Sequence, residues 1–231
     1  MKGLQNRALA ATEWMDDPAC DPQRLARTYG HFGLLNRIVG RWPMIYRNLL
    51  RPALERSRSN SLLDIGFGGG DVSRRIARWA ASDGLSLNVT AIDPDPRAHE
   101  FASAKAGAGV DFQATTSGAL VAEGRTFDVV ISNHVLHHLD DGLDAFLSDS
   151  VALASRLVVH SDIERSKGAY GAYSVLALPL AARSFAHADG LTSIRRSYRH
   201  GELAADAGPG WQVRRAHPSR LILTQSIEGR S

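Results

Sequence analysis

The sequence predicts an α/β fold: a seven-stranded sheet of five parallel strands and a C-terminal antiparallel hairpin, with helices on both faces. Three observations predict it. From residue 61 onward, short β-rich runs alternate with helical stretches, the pattern that builds a parallel sheet between helices. The first of these runs ends in a glycine-rich turn that leads directly into a helix. Near the C-terminus two further β-rich runs are joined by a short turn. At 231 residues the chain suffices for one such domain with added elements and is short for two.

Residues 1–58 read as an N-terminal helical lid, and residues 59–231 as the main domain with a cap insertion at about 163–198. In the extension, Asp21 is an N-cap candidate with Pro22 at the first helical position, and Leu25, Tyr29 and Phe32 recur at helical spacing. Pro43 opens a second helix with Ile45, Leu49, Leu50 and Ala53 on its apolar side. Both helices precede the first strand, so they serve as lid or as packing cover and not as part of the sheet. The strands fall at 61–65, 88–93, 111–113, 127–132 and 156–161, with helices at about 72–81, 97–106 and 143–154 between them. Runs at 211–216 and 220–224, with a turn at Pro218, form the hairpin. This order is Rossmann-like. The 163–198 insertion is rich in Ala, Leu and aromatics and reads as a helical cap beside the carboxyl ends of the strands, where binding pockets are shaped.

With 44% hydrophobic and 22% charged residues, the chain has the composition of a soluble globular protein, not of a disordered or membrane one. Cys20 is its only cysteine, which rules out an internal disulfide and a thiolate zinc site and points to a reducing, cytoplasmic setting. No metal-ligand set is identified. Glu13, Asp16 and Asp17 interrupt the first 20 residues, so no secretion signal is expected there. The longest apolar run, 175–182, contains Pro179 and falls well short of the roughly twenty residues a membrane-spanning helix needs. The net charge of +3 comes from an arginine-rich surface, with lysine only at Lys2, Lys105 and Lys167. Such a balance permits an anionic partner through long-range attraction, but it reads as an ordinary solvated surface and no nucleic acid is expected.

The segment Ser61-Leu-Leu-Asp-Ile-Gly-Phe-Gly-Gly-Gly-Asp71 runs from buried strand to glycine turn to helix. Gly66, Gly68 and Gly70 let a ligand approach the backbone and allow turn dihedrals closed to other residues. A dinucleotide fingerprint starting at Gly66 requires Gly or Ala at position 71, where this chain has Asp71. That carboxylate repels a pyrophosphate. S-adenosylmethionine (SAM) has no phosphate and carries a sulfonium, an ammonium and one carboxylate, so acidic neighbours favour it. Asp64, at the end of the first strand, is placed for the ammonium. The second strand ends Ala91-Ile92-Asp93-Pro94-Asp95, and an acid there, 23 residues after Gly70, can accept from both ribose hydroxyls of a nucleoside. Asp93 fits that role, whereas Asp95, followed by Pro96, reads as a helix N-cap.

Together these motifs resemble the class I SAM-dependent methyltransferases. Leu63-Asp64-Ile65-Gly66-Phe67-Gly68-Gly69-Gly70 matches their first motif, and Asp93 falls on their ribose acid. Phe127-Asp128-Val129-Val130-Ile131-Ser132-Asn133 matches their fourth-strand motif, followed by the Leu136-His137-His138-Leu139 seen in small-molecule members. The resemblance covers about 62–159 and implies SAM as cofactor, held by Asp64, Gly66, Phe67, Gly68, Gly70, Asp71, Asp93, Pro94, Ser132, Asn133 and His134. Many members place an Asp after strand three for the adenine amino group; here Thr116 takes that position.

Methyl transfer is an in-line displacement, so most of the enzyme's work is positioning, and a general base helps when the acceptor is a phenol or enol oxygen. His134 and His138, after strand four, are candidates, as is His187 of the cap, where Asp189 stands two residues on. His137 belongs to the same motif pair as His138, and a structural role stands beside the chemical one for both. Tyr29 and His31 are further pocket candidates. Tyr170, Tyr173, Leu176, Leu178, Leu180 and Phe185 of the cap point to an apolar acceptor with one polar handle, such as a phenolic polyketide or quinone precursor. The expected reaction is O-methylation of a small phenolic acceptor, as in natural-product methyltransferases. The alternatives are C-methylation of a quinone-type precursor and an NAD(P)-dependent oxidoreductase, the latter lacking a Tyr-x-x-x-Lys pair. A nucleic-acid methyltransferase commonly carries Asn or Asp and two prolines where this chain reads Asn133-His134-Val135-Leu136, and a non-catalytic SAM-binding subunit is the last rival. Ile227-Glu-Gly-Arg near the C-terminus resembles a protease site and is given no function. Oligomeric state is not legible.

Overall fold

A computed structural model describes residues 4–105, 109–217 and 219–227. Its centre is one seven-stranded sheet in the order β3-β2-β1-β4-β5-β7-β6. β1 (Asn60–Ile65), β2 (Leu87–Asp93), β3 (Val110–Ala114), β4 (Phe127–Asn133) and β5 (Ala154–Ile163) run parallel, and β7 (Arg220–Ser226) pairs antiparallel with both β5 and β6 (Gln212–Ala216). Each strand lies where the apolar runs predict it, extended or trimmed at its ends. The Pro218 turn and residues 228–231 lie outside the described residues.

Side chains alternate across a strand, so neighbours in β1 and β4 serve opposite faces. Leu63 and Val130 join a core cluster with Phe146, Leu147 and Leu203, from α7 (Leu143–Leu153) and α10 (His200–Asp206). Leu62 and Val129 join a second with Val72 and Ile76 of α4 (Asp71–Ser82). That second core also takes Trp42, Ile45 and Leu50, all fully buried. They come from one run of helical backbone: α2 (Trp42–Ile45), a π turn (Tyr46–Leu50) and α3 (Arg51–Ala53). α5 (Pro96–Ser103) and α6 (Ser117–Ala122) complete the crossovers; α5 stops at Ser103, short of its predicted end, and Ala106 lies outside the described residues.

The strand order reverses between β1 and β4, which opens a crevice beyond the carboxyl ends of the strands, the place where open α/β sheets bind ligands. Three additions wall it. α1 (Pro22–Val39) begins as predicted, with Asp21 accepting from Arg24 N, and packs on α4 and α5. The insertion after β5 is helical, as α8 (Lys167–Leu176), a 3₁₀ turn (Leu178–Leu180) and α9 (Ala186–Arg196). Residues 4–20 cross over the cap, strapped by side chains to backbone oxygens: Arg165 to Leu4 and Gln5, and Arg196 to Leu9. No helix among the described residues is long and apolar enough to cross a membrane.

Gly69 marks where α1 meets the glycine loop, since a Cβ there would stand 2.7 Å from the Tyr29 carbonyl oxygen. Overpacking against backbone costs about 1–3 kcal/mol. Urea denaturation is therefore expected to show Gly69→Ala less stable by that amount, and an unchanged midpoint would mean that α1 is not seated on the loop.

Candidate cofactor and active site

The crevice is a cavity of about 440 Å³, within the range of small-molecule sites. One side is the glycine loop, where Gly66, Gly68 and Gly70 take φ of 77°, 51° and 70°, the region that favours glycine. Gly66 N donates to Ile92 O at 2.7 Å, which ties the loop to the end of β2. Gly68 N donates to Asp93 Oδ2 at 2.9 Å, and Asp95 N donates to Asp93 Oδ1 at 3.0 Å, so backbone amides fix the Asp93 carboxylate at the cavity wall. Burial raises its pKa against these bonds. Asp95 caps α5 through Arg97 N at 2.8 Å and accepts from Tyr29 Oη at 3.3 Å.

Across from Asp93 lie two more acids. Asp64 Oδ2 accepts from Ser73 Oγ, while Oδ1 is buried with no hydrogen-bond partner among the described residues. Burial is the main reason its pKa rises to about 7, with the Ser73 bond opposing and the Asp71 and Asp93 charges adding. Asp71 Oδ1 accepts from Asn36 Nδ2 at 3.0 Å, and Oδ2 is likewise unpartnered; burial raises this acid too. Two buried carboxylate oxygens without donors suit a cationic ligand group and oppose a pyrophosphate. Asn133 at the end of β4 closes this side, accepting from Trp42 Nε1 at 3.1 Å and Arg220 Nη2 at 2.7 Å and donating to Asn36 Oδ1 at 3.3 Å.

A methyltransferase-domain family matches residues 62–155, which span β1 to the start of β5. Over that segment the chain carries a methyltransferase domain and is similar to the class I SAM-dependent methyltransferases. A ubiquinone biosynthesis O-methyltransferase of Parvibaculum lavamentivorans is 35% identical over 158 residues, 63% of this chain and 54% of the relative. One of Methylobacterium nodulans is 39% identical over 95 residues, 40% of this chain and 35% of the relative. The chain thus spans about half the length of the first of these relatives and about a third of the second. Among solved structures, the plantazolicin methyltransferase BpumL in complex with SAH superposes with a TM-score of 0.61 at 13% identity, covering 96% of this chain and 95% of that one. A SAM-dependent methyltransferase from Aquifex aeolicus gives 0.52 at 17% identity, covering 78% and 88%. At such identities the likeness is one of fold.

The fold brings Asp64, Gly66, Phe67, Gly68, Asp71, Asp93, Pro94, Asn133, His134 and His138 to the cavity. Gly70 lies behind it, packed where a Cβ would strike Arg74 and Phe112. Ser132 is fully buried beneath it and pairs with His160 Nδ1 at 2.8 Å. Thr116 is exposed, and its hydroxyl caps α6 by accepting from Ala119 N at 3.3 Å. His187 does not reach the cavity: it borders a separate small cleft with Trp14 and Arg24, and its Nε2 meets Ser174 O at 3.2 Å. On α9, residues two apart point to different sides, so Asp189 turns away from His187 and accepts instead from Trp14 N and Met15 N at 2.8 and 3.1 Å. His31 bonds Ser184 Oγ at 3.0 Å, outside the cavity lining. The apolar cap residues also miss it: Leu176 and Leu178 face solvent and Phe185 packs on α1, leaving Tyr173 as the one of the six expected residues that lines it.

Glu13, Asp16, Asp162 and Arg220, unforeseen in the sequence, complete the histidine cluster. His137 is buried with Nδ1 2.9 Å from both Asp162 oxygens and Nε2 3.4 Å from Glu13 Oε1. Burial opposes its charge, but the two carboxylates prevail and raise it to about 10. Burial would likewise raise Asp162, yet the His137 charge and the bonds from His134 and His137 hold it well below the usual carboxylate range. His134, at a φ of 60°, accepts from Arg220 Nη1 at 2.6 Å through Nε2, with Nδ1 3.5 Å from Asp162. Burial and the Arg220 charge lower it to about 4, and its lone pair is already taken. His138 faces the cavity with Nδ1 3.6 Å from Asp16 and Nε2 3.8 Å from Glu13, and burial together with the His137 charge lowers it to about 4. Ligand atoms of Glu13, His137 and His138 lie within 4.8 Å of one another, as do those of His134, His137 and Asp162; a proton on His137 balances the carboxylates of both sets.

A histidine raised above its unfolded value of 6.5 contributes stability that is fully present below about pH 6.5 and lost as the pH rises through about 10. Urea denaturation from pH 6 to pH 10 is expected to show the wild type losing its advantage over His137→Gln across that window. Parallel curves would contradict a buried imidazolium.

Proposed function

We propose that this methyltransferase moves the SAM methyl group to a hydroxyl oxygen of a small phenolic acceptor, with His138 as general base. The observation that carries the reading is the sorting of the three candidate bases. His187 borders another cleft, His134 has Arg220 on its lone pair, and His138 presents a neutral imidazole to the cavity. The bound cofactor supplies a methyl carbon activated by its sulfonium. The chain's residues do the rest by placement. In this reading Asp93 accepts from the ribose hydroxyls, Asp64 and Asp71 face the ammonium, and Gly66, Gly68 and Asn133 bound the amino-acid end. Phe67 and Pro94 flank the base, and Thr116, committed to its helix cap, takes no part in holding the adenine.

As the acceptor oxygen takes the methyl carbon, the carbon–sulfur bond breaks to leave a neutral thioether and the acceptor's proton passes to the His138 ring, where the Glu13 charge opposes the burial and the His137 charge that disfavour an imidazolium. Glu13, Asp16, Asp189, Ser193 and Tyr173 line the cavity beside Leu139 and Ile163, and the lining as a whole is mainly apolar. That lining suits an apolar ring that carries a hydroxyl to donate. The similarity to the Parvibaculum O-methyltransferase supports oxygen over carbon.

The test is transfer of labelled methyl from SAM to a panel of catechols and other phenols. His138→Gln is expected to lower kcat by about 100-fold or more while SAM affinity holds, and His187→Gln to leave both unchanged. Full turnover by His138→Gln would remove it as the base.

A further inference from the structure

α9 carries a glycine at the fifth of its eleven residues, where glycine is the poorest helix former short of proline. Tyr173 of α8 accounts for it. A Cβ on Gly190 would overlap Cε1, Cζ and Oη of the tyrosine, so the outer edge of the ring sits directly against the helix backbone. The hydroxyl donates to Ala186 O, one turn earlier on α9, at 2.7 Å. The ring also packs against the apolar cluster of Leu4, Ile163, Ala169 and Ile194. Tyr173 and Gly190 both line the cavity, at the end that holds Glu13 and Asp189.

We propose that Tyr173, seated on Gly190, sets the reach of the acceptor end of the cavity and so decides how large a ring substituent the enzyme accepts. The proposal rests on the reading that the acceptor lies beyond His138. With one edge of the ring packed in the apolar cluster and its hydroxyl tied to α9, any side chain at 190 drives the ring towards the cavity it already borders. A small residue at 173 does the opposite and lengthens that end. The specificity of the cap then lies in one ring and the bare backbone beneath it, and not in Leu176 or Leu178, which face solvent.

The test compares wild type, Gly190→Ala, Tyr173→Ala and the double variant, each loaded with S-adenosylhomocysteine, whose affinity reports that the cofactor side and the fold are intact. Binding of catechol and 4-tert-butylcatechol is followed by protein NMR. Gly190→Ala is expected to weaken the larger probe at least about ten-fold more than the smaller, the discrimination an apolar group of this size commands. The double variant is expected to restore it. Equal losses for both probes, or a loss that persists in the double variant, overturn the proposal. If the wild type takes up neither phenol, the phenolic reading falls, and a crystal structure of Gly190→Ala decides the gauge separately: a ring displaced into the cavity upholds it, and a ring left in place with α9 shifted overturns it.

Discussion

Two buried carboxylate oxygens without donors among the described residues, Asp64 Oδ1 and Asp71 Oδ2, are the constraint on which the chemistry of this crevice turns. An isolated carboxylate out of water is costly unless a cation or a proton answers it. The chain answers them in part: Ser73 and Asn36 each satisfy one oxygen, the Arg75 and Arg74 charges favour the ionised Asp71, and burial still raises both acids. A ligand that brings its own positive charge relieves the same strain. This is why a glycine loop shared in outline with dinucleotide sites suits SAM here better than a pyrophosphate.

The opposite wall is organised by a charge of the other sign. The His137 imidazolium binds Asp162 of β5 on one side and faces Glu13 of the N-terminal segment on the other, and Glu13 also accepts from Ser193 of α9 at 2.7 Å. One buried cation thus joins β5, the N-terminal segment and α9 at the point where His138 meets the cavity. Its field also keeps His138 unprotonated. Removing one partner of such a buried set typically costs about 3–5 kcal/mol, because the others are left uncompensated. The roof of the active site is therefore built from polar ties, and it depends on their completeness more than on apolar packing.

The cofactor side was legible in the sequence because its determinants are local. The glycine loop, Asp64, Asp71 and Asp93 lie at strand ends or the turn that follows, and a strand-to-helix pattern fixes where those ends stand. The histidine cluster on the opposite wall was not, because it is made by contacts between distant segments. Nothing near Glu13 or Asp16 signals that they meet His137 and His138, and nothing near Arg220 signals that it occupies the lone pair of His134. His187 and Asp189 are close in sequence, yet helical geometry sends them to different neighbours. The cap's leucines were read from composition, which says how apolar a segment is and not which face it turns inward. Thr116 stands at the start of a helix of only six residues, too short for periodicity to reveal its capping role.

The central claim, that the acidic crevice selects SAM, is tested most directly by calorimetric titration of the purified protein with SAM and, separately, with NAD. The account predicts saturable SAM binding, weakened ten-fold or more, about 1.4 kcal/mol, by Asp93→Ala, with no response to NAD. Binding of NAD with no response to SAM would contradict it and turn the crevice towards redox chemistry.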